Sequence, residues 1–440
     1  MVETTPANAR RPRQKEGRTV FIGHFTEQPW QDPKQGYYGS IRLDISNKLY
    51  DPEVGRQLYN RYLDEKLYAE EIGFDGLMFN EHHSTAFCMQ GVTNVGVSIL
   101  ARQTKKAKLC ILGNILPIWD DPLWLAEQLA MIDMISHGRL VSGWVRGAPS
   151  ESVSHNANSA YNRERFEEAH DFIVKTWTTP GPFRWEGKHH QYRYVNPWAV
   201  PMQRPHPPAQ IPGVASRETV RWAAQQHYPY VMLATLLGPT KEMFDYYFEC
   251  AQEFGYKAGS QNLGYLFKVH ADETEQLADQ AGRKYISGVE NPFIAGNTSS
   301  APLFTGLPGL SSAESRKRQA VLLGARTGGA ASTASTLRAP YETQVDQYSI
   351  VSGTPKTVLT KLRHVLELLR PGTLYIWDGD GAMSHDDQMR SFRLMGSEVL
   401  PALRDMGKEL GLVGPFESND GTGIGPDVWS RFKEQQVAKA

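Results

Sequence analysis

The sequence is poor in cysteine, nearly neutral, and free of long apolar runs. Only Cys88, Cys110 and Cys250 occur among 440 residues, which argues against a disulfide framework or a cysteine zinc site and indicates a reducing, cytoplasmic setting. The formal net charge of −1 provides no overall field that would favour nucleic acid or an anionic membrane. No apolar run approaches the roughly 18 residues that a membrane helix needs. Hydrophobic residues make up 40% and charged residues 22%, as in globular proteins.

Composition also divides the chain. Met1–Gly17 is polar and basic and lacks the apolar segment of a secretory signal, so we expect a disordered arm over residues 1–17. Residues 18–415 are predicted to form one domain. Within it, residues 288–347 are rich in Gly, Ser, Ala and Pro, which is typical of a lid or insertion. Residues 416–440 are predicted to form a tail with a short helix.

Short apolar segments alternate with helical patterns along most of the chain. This alternation predicts a closed parallel barrel of the (β/α)₈ TIM type, with the long insertion before the eighth strand. An open, doubly wound sheet is the alternative, but no G-x-G-x-x-G follows the first strand. The predicted strands are Val20–Phe25, Leu77–Phe79, Lys108–Leu116, Arg139–Val145, Ala209–Val214, Tyr230–Leu237, Leu263–Val269 and Thr373–Trp377.

Helix signals accompany these strands. Asp51 and Asp121 each precede a proline, which predicts a capped helix start, and Ser216 is a third candidate N-cap. Further helices are predicted over Thr240–Phe254 and His385–Leu410.

Four polar residues, Asn80 to His83, directly follow the predicted second strand. Barrel enzymes place their chemistry at the carboxyl ends of the strands. Histidine, with an ordinary pKa of about 6.5, can move protons at neutral pH. Two alternatives remain: a structural role at the rim, or a metal site formed by His82 and His83. Adjacent strand residues point to opposite faces, so one working histidine with a supporting neighbour is favoured and no metal site is predicted.

The order and spacing of several motifs resemble those of the bacterial luciferase-like, flavin-dependent monooxygenases. The resemblance extends from about Arg18 to Leu410, and each motif alone is weak. The motifs are Ala69–Gly76, Glu81–His83, Gly113–Pro117, Asp121–Pro122, Ala126–Glu127, Met131–Asp133, Ser136–Arg139, Gly143–Gly147, Ala215–Ala224 and Gly353–Pro355.

The resemblance implies a TIM barrel and an oxidoreductase that uses FMN. Reduced FMN would be a co-substrate supplied by a separate flavin reductase. Dioxygen would add to it, giving a flavin peroxide that oxygenates a small to medium organic substrate. A homodimer is also implied. Hydroxylation and Baeyer–Villiger insertion both remain open.

The resemblance also implies roles for residues. His82 matches the catalytic histidine, with His83 beside it. Gly113 and Asn114 match the strand end that supports the flavin ring. The matches for the phosphate are Arg146 with Gly147, Arg163 or Arg165, and the helix start Ala215, Ser216 and Thr219. Independently, helix N-termini and arginine both suit phosphate oxygens.

Trp119 and Trp377 are predicted pocket walls, although packing in the barrel core is almost as good an interpretation. No charged anchor is evident in the sequence, which favours an apolar or aromatic substrate. Thr235 occupies the place of a tryptophan of the luciferase itself, so light emission is not expected.

Three other hypotheses stay open: a deazaflavin-dependent oxidoreductase of the same fold, a metal-dependent barrel hydrolase, and a partner subunit that has lost its flavin site.

Overall fold

A computed structural model describes residues 19–34, 36–37, 45–147, 149–214, 216–285 and 340–416. The predicted basic arm, most of the predicted insertion and nearly all of the predicted tail lie outside the described residues. Ala215, a predicted phosphate-binding residue, also lies outside them.

Eight parallel strands form a closed barrel, which confirms the predicted fold. Each strand pairs with two neighbours, and the ring closes where the fourth strand pairs with the fifth and the eighth with the first. In ring order the strands are β1 (Phe21–Phe25), β4 (Gly76–Phe79), β5 (Lys108–Ile111), β7 (Leu140–Val145), β10 (Ala209–Gly213), β11 (Tyr230–Leu233), β12 (Leu263–Ala271) and β14 (Thr373–Trp377).

Shorter strands decorate this ring. They are β2 (Gln31–Asp32) with β3 (Gly36–Tyr37), β6 (Asn114–Ile115) on β7, β8 (Phe183–Glu186) with β9 (Gln191–Val195), and β13 (Ile350–Gly353) on β12. The β8–β9 hairpin and β13 have no counterpart in the sequence prediction.

Helices surround the barrel. They are α1 (Pro52–Glu71), α2 (Thr93–Gln103), α3 (Pro122–Ile135), α4 (Pro149–Ser154), α5 (Asn162–Thr178), α6 (Arg217–Gln225), α7 (Leu237–Glu253), α8 (Glu275–Lys284), α9 (Tyr341–Asp346), α10 (Pro355–Leu369), α11 (His385–Leu394) and α12 (Leu400–Glu409). Of the helices within the described ranges, none is long and apolar enough to cross a membrane.

The side chains of each barrel strand alternate between two cores. Leu266 and Trp377 belong to the core inside the barrel, together with Phe25, Met78 and Val231. Their sequence neighbours face the helices, where the larger core packs.

The predicted caps are confirmed. Asp51 accepts hydrogen bonds from Glu53 and Val54, and Asp121 accepts one from Leu123. Ser216 accepts one from the Thr219 amide at the start of α6.

Several predicted boundaries are wrong. The strand predicted over Lys108–Leu116 ends at Ile111 and is followed by the separate strand β6. The strand predicted over Tyr230–Leu237 ends at Leu233, because Ala234 turns the chain with a φ of 47° and Leu237 already begins α7. The predicted last helix is divided by a π-helical turn over Met395–Val399. In addition, α9 lies inside the region predicted to be an irregular insertion.

Candidate active site

His82 lies just beyond β4, between two carboxylates. Its Nδ1 is 2.8 Å from Glu151 Oε1 on α4, and its Nε2 is 4.0 Å from Glu27 Oε2 beyond β1. Burial acts to lower the pKa of His82, but the Glu151 hydrogen bond and the charges of Glu27, Glu151 and Glu81 outweigh it and raise that pKa. The arrangement therefore favours an imidazolium whose orientation is fixed by Glu151.

Glu27 completes this acidic side of the barrel mouth. The Asn80 amide donates to Glu27 Oε2 over 2.6 Å. Burial, against the opposing charge of His82, raises the pKa of Glu27 to about 7. Asp380, after β14, is also buried, and its pKa is raised to about 6. Both carboxyl groups therefore change protonation near neutral pH.

His83 has a different environment from His82, although β4 ends at Phe79, so the alternation along a strand does not apply to either residue. Its Nε2 is 3.3 Å from Glu81 Oε1, and its amide donates to Glu151 Oε2 over 3.1 Å. His155 Nδ1 lies 3.0 Å from the Ser154 hydroxyl. One ligand atom each from His83, Glu151 and His155 lies within 4.8 Å of the others. This set differs from the His82–His83 pair of the metal hypothesis. The Glu151 carboxylate already contacts the His82 ring and the His83 amide.

A cationic group of side chains lies at the ends of β7 and β10. Arg146 Nη2 is 3.4 Å from the Ser216 hydroxyl, and Arg163 Nη2 on α5 is 3.3 Å from the Thr219 hydroxyl. Burial, followed by the like charge of Arg163, lowers the pKa of Arg146 to about 10. Two guanidinium groups, two hydroxyls and a helix N-terminus together match the donors that a phosphate needs. The residues present therefore fit the phosphate group of FMN.

Arg165, the sequence alternative to Arg163, has another role. It donates to the Pro117 and Trp119 carbonyl oxygens and pairs with Asp120 at 3.0 Å. These contacts tie α5 to the loop after β6, away from Ser216 and Thr219.

The turn predicted to support the flavin ring is compact. A side chain at Gly113 would meet Val145 at 2.5 Å, and Gly147 has a φ of +79°, so both positions favour glycine. Asn114 is buried, and its amide donates to Glu81 Oε2 and Asn94 Oδ1 over 3.2 and 3.1 Å. Its Oδ1 is a buried acceptor without a partner among the described residues. A flat polar ligand at this turn would satisfy it.

The two predicted pocket tryptophans differ in position. Trp377 belongs to the core inside the barrel, at its mouth, with Phe25 in edge contact at 5.3 Å. Trp119 packs against the core between barrel and helices. A role as pocket wall remains a prediction for both.

Sequence reasoning missed Glu27, Glu151 and Lys268, and it offered Asp380 only as a possible ligand under the metal hypothesis. Each is ordinary in its local sequence, and none carries a motif. Only the position of Glu27 and Asp380 just after predicted strands offered a signal.

An eight-stranded parallel barrel with a cationic edge and a carboxylate-held histidine at its mouth is typical of barrel enzymes that use a phosphate-bearing cofactor. A family model described as luciferase-like monooxygenase matches residues 47–370. The chain belongs to that family of oxidoreductases.

Curated relatives agree with this assignment. The oxygenase component of a flavin-dependent trigonelline monooxygenase from Acinetobacter baylyi is 28% identical over 164 residues, covering 37% of this chain and 45% of the relative. The alkanal monooxygenase alpha chain of Photobacterium leiognathi is 24% identical over 251 residues, covering 56% of this chain and 70% of the relative. The match to the first relative thus spans less than half of that protein.

Solved structures share the fold. The oxygenating constituent of 3,6-diketocamphane monooxygenase from Pseudomonas putida, in complex with FMN, has a TM-score of 0.64 at 20% identity, covering 87% of this chain and 98% of the other. An F420-dependent secondary alcohol dehydrogenase has a TM-score of 0.58 at 15% identity, covering 88% of this chain and 100% of the other.

Proposed function

We propose that this chain is the oxygenase component of a two-component monooxygenase that uses reduced FMN. A separate flavin reductase would supply the reduced FMN, and dioxygen and a small to medium organic substrate would be the other reactants. One observation carries the proposal: the cationic group around Arg146 and the carboxylate-held His82 lie at the same end of the barrel, joined through Glu151 a few residues after Arg146. The flavin-dependent relative and the FMN complex with the same fold support it.

The phosphate would be held by Arg146, Arg163, Ser216 and Thr219, with the ring against Gly113 and Asn114. Reduced FMN, when bound, supplies the activation of dioxygen. The protein supplies orientation through these contacts. Gly113 and Gly147 let these two segments pack closely, because Val145 and Ile115 occupy the space that a Cβ would take.

His82 would donate and accept a proton during the reaction. Glu151 holds Nδ1, so Nε2 is the atom that faces Glu27 and the barrel mouth. Burial acts against protonation of His82, but the carboxylates raise its pKa, so they favour the protonated ring, which can donate its proton from Nε2. Glu27, with a pKa of about 7, can return a proton to the ring.

The test is rapid mixing of dioxygen with the protein and anaerobically reduced FMN, followed by the absorbance of oxidised FMN. We expect oxidised FMN to return more slowly than from free reduced FMN, and sooner in His82→Ala than in the wild type. Product analysis with oxygen-18 would then separate hydroxylation from ester-forming insertion.

Absence of reduced-FMN binding would contradict the proposal. Binding of a reduced deazaflavin instead would favour the second candidate, a hydride-transferring oxidoreductase like the dehydrogenase that shares the fold.

We also propose that the chain forms a homodimer through α2 and α3. Asn94 on α2 and Gln128 on α3 are hydrogen-bonded at 3.0 Å, so the two helices present one surface. Exposed apolar side chains cluster there, and contiguous patches of this kind mark interfaces, most often between identical chains. They are Val95, Ile99, Trp124, Met131, Met134 and Ile135.

Sedimentation would test the dimer. Met131→Glu should give a monomer. Met202→Glu is the matched control, because Met202 is exposed to a similar extent, 52% against 55%, but lies outside both helices. A monomeric wild type, or a dimer that survives Met131→Glu, would contradict this interface.

A further inference from the structure

Tyr230 has a buried hydroxyl without a partner. Tyr230 is the first residue of β11, and its side chain packs in the core between the barrel and the helices. The residue is fully buried, and its hydroxyl makes no hydrogen bond to any residue within the described ranges. Buried polar groups nearly always have a partner, because an unsatisfied hydroxyl costs free energy. A water molecule or a ligand would have to satisfy this one.

The hydroxyl lies at the carboxyl end of β10. Tyr230 is paired in register with Ile211. A Cβ at Gly213, two residues further along β10, would nevertheless be only 2.4 Å from the Tyr230 hydroxyl oxygen. Gly213 is the last residue of β10, and Ser216, the N-cap of α6, follows three residues later. The ring therefore runs along β10 and directs its hydroxyl to the turn from which α6 starts.

Arg146 approaches the same point from the other side of β10. β7 pairs with β10 through Gly143 and Gln210. The same register, continued along both strands, brings Arg146 beside Gly213. Burial raises the pKa of Tyr230, and the charge of Arg146 acts against this rise, as expected of neighbouring groups. The phenol therefore stays protonated at neutral pH and is a hydrogen-bond donor beside a guanidinium group.

The charges around this point are two half-buried cations and two more exposed carboxylates. Arg146 and Arg163 belong to the cationic group described above. Glu167 is 3.5 Å from Arg163, and Glu218 accepts from the N-cap hydroxyl of α6 over 2.9 Å. Glu218 is exposed, as is 42% of the Glu167 side chain, so solvent screens both carboxylates. An anion would thus be held most strongly on the buried side of the cationic group, toward Tyr230.

We propose that Tyr230 is a further phosphate-binding residue, whose hydroxyl donates a hydrogen bond to the FMN phosphate from the buried side of the cationic group. This inference rests on the proposed function and adds a donor that the sequence resemblance did not imply. It also accounts for Gly213, because a side chain there would occupy the space of the hydroxyl. Tyr230 would take no part in the proton transfer at His82.

The test compares FMN with riboflavin, which has the same ring system but no phosphate. Flavin fluorescence titration measures both affinities. In the wild type, FMN should bind more tightly than riboflavin. Tyr230→Phe removes only the hydroxyl, so it should lower the affinity for FMN by about tenfold or more and leave that for riboflavin within about twofold.

Thermal unfolding without flavin is a second readout, and it separates a ligand contact from a structural one. An unsatisfied buried hydroxyl destabilises the empty protein, so Tyr230→Phe should melt at the temperature of the wild type or above it. Added FMN should then raise the melting temperature of Tyr230→Phe less than that of the wild type.

Tyr247→Phe is the matched control. Tyr247 on α7 is equally buried, but its hydroxyl donates to the Tyr228 carbonyl oxygen over 2.8 Å. Tyr247→Phe should therefore lower the melting temperature, because it leaves that carbonyl without its donor, and it should keep the full preference for FMN over riboflavin.

An unchanged preference of Tyr230→Phe for FMN over riboflavin would overturn the inference. A lower melting temperature of Tyr230→Phe without flavin would overturn it as well, because the hydroxyl would then have a partner, such as a buried water, in the empty protein. Failure of the proposed function is distinguishable from these results. If the wild type binds FMN no better than riboflavin, the phosphate site and this inference both fail. If the wild type prefers FMN and Tyr230→Phe keeps that preference, only this inference fails.

Discussion

The two sides of the barrel mouth are built differently. On the acidic side, the contacts of His82 with Glu151 and of Asn80 with Glu27 are short, at 2.8 and 2.6 Å. On the cationic side, the contacts of Arg146 with Ser216 and of Arg163 with Thr219 are longer, at 3.4 and 3.3 Å. They join cations to neutral hydroxyls, and Arg163 also pairs with Glu167 at 3.5 Å.

This difference indicates that the chain itself preorganises the acidic side, whereas under the proposed function a phosphate would complete the cationic side. The acidic side already has opposite charges in contact, and these fix the orientation of His82. The cationic side has two like charges near each other, and burial followed by the charge of Arg163 lowers the pKa of Arg146. Binding a dianion would remove that repulsion and form charge-assisted hydrogen bonds. Substitutions on the two sides should therefore have distinct effects.

The largest effect is expected from Arg146→Met. It removes a charged donor from the cationic side, so the affinity for FMN should fall by about 100-fold, corresponding to about 3 kcal/mol. Flavin fluorescence titration measures this. Arg165→Met is the control, because Arg165 bonds to the Pro117 and Trp119 carbonyls and should leave the affinity within about threefold. Equal losses in both variants would show that the cationic side does not bind the phosphate.

Glu27→Gln should stabilise the protein at alkaline pH. The folded-state pKa of Glu27, about 7, lies above its ordinary value of 4.5. The folded state therefore holds the proton longer than the unfolded state, and the contribution of Glu27 to stability is lost as pH rises from about 4.5 through 7. Glutamine imitates the protonated form and avoids that loss, on the order of 3 kcal/mol.

Thermal unfolding at pH 4.5 and pH 8 would reveal this. The variant should exceed the wild type at pH 8 and match it at pH 4.5. Glu249→Gln, on the exposed face of α7, should show no such difference. A variant less stable than the wild type at pH 8 would mean that the ionised Glu27 stabilises the acidic side.

The sequence predicted the strands and helix caps that a short segment of chain determines by itself. Thr373–Trp377 has its predicted bounds, and the caps Asp51, Asp121 and Ser216 were identified from neighbouring residues, because a cap acts within one turn. The boundary at Leu233 was missed, since the apolar run continues to Leu237 and only the backbone at Ala234 reveals the turn.

The residues of the candidate site also differ in how far the sequence could predict them. His82, Arg146 and Ser216 follow strands directly, so their location at the barrel mouth was predictable. Their partners were not. Glu151 reaches His82 across 69 positions of sequence, and Lys268 lies within β12 without any motif. Contacts between distant segments depend on the assembled barrel.

Glu151→Gln should have the smallest effect and the most specific one. It keeps the size of the side chain but removes the charge that helps to raise the pKa of His82, so that pKa should fall. If the imidazolium is the working form, the loss of activity at high pH should begin about one pH unit lower, with at most about a tenfold lower rate at the optimum. FMN affinity should not change, because the cationic side is intact. The pH profile of substrate oxygenation measures the shift, and His155→Gln is the control, since His155 does not contact His82.

An unshifted profile together with a lower rate would mean that Glu151 only positions the ring, and an altered FMN affinity would mean that the two sides of the mouth are not independent.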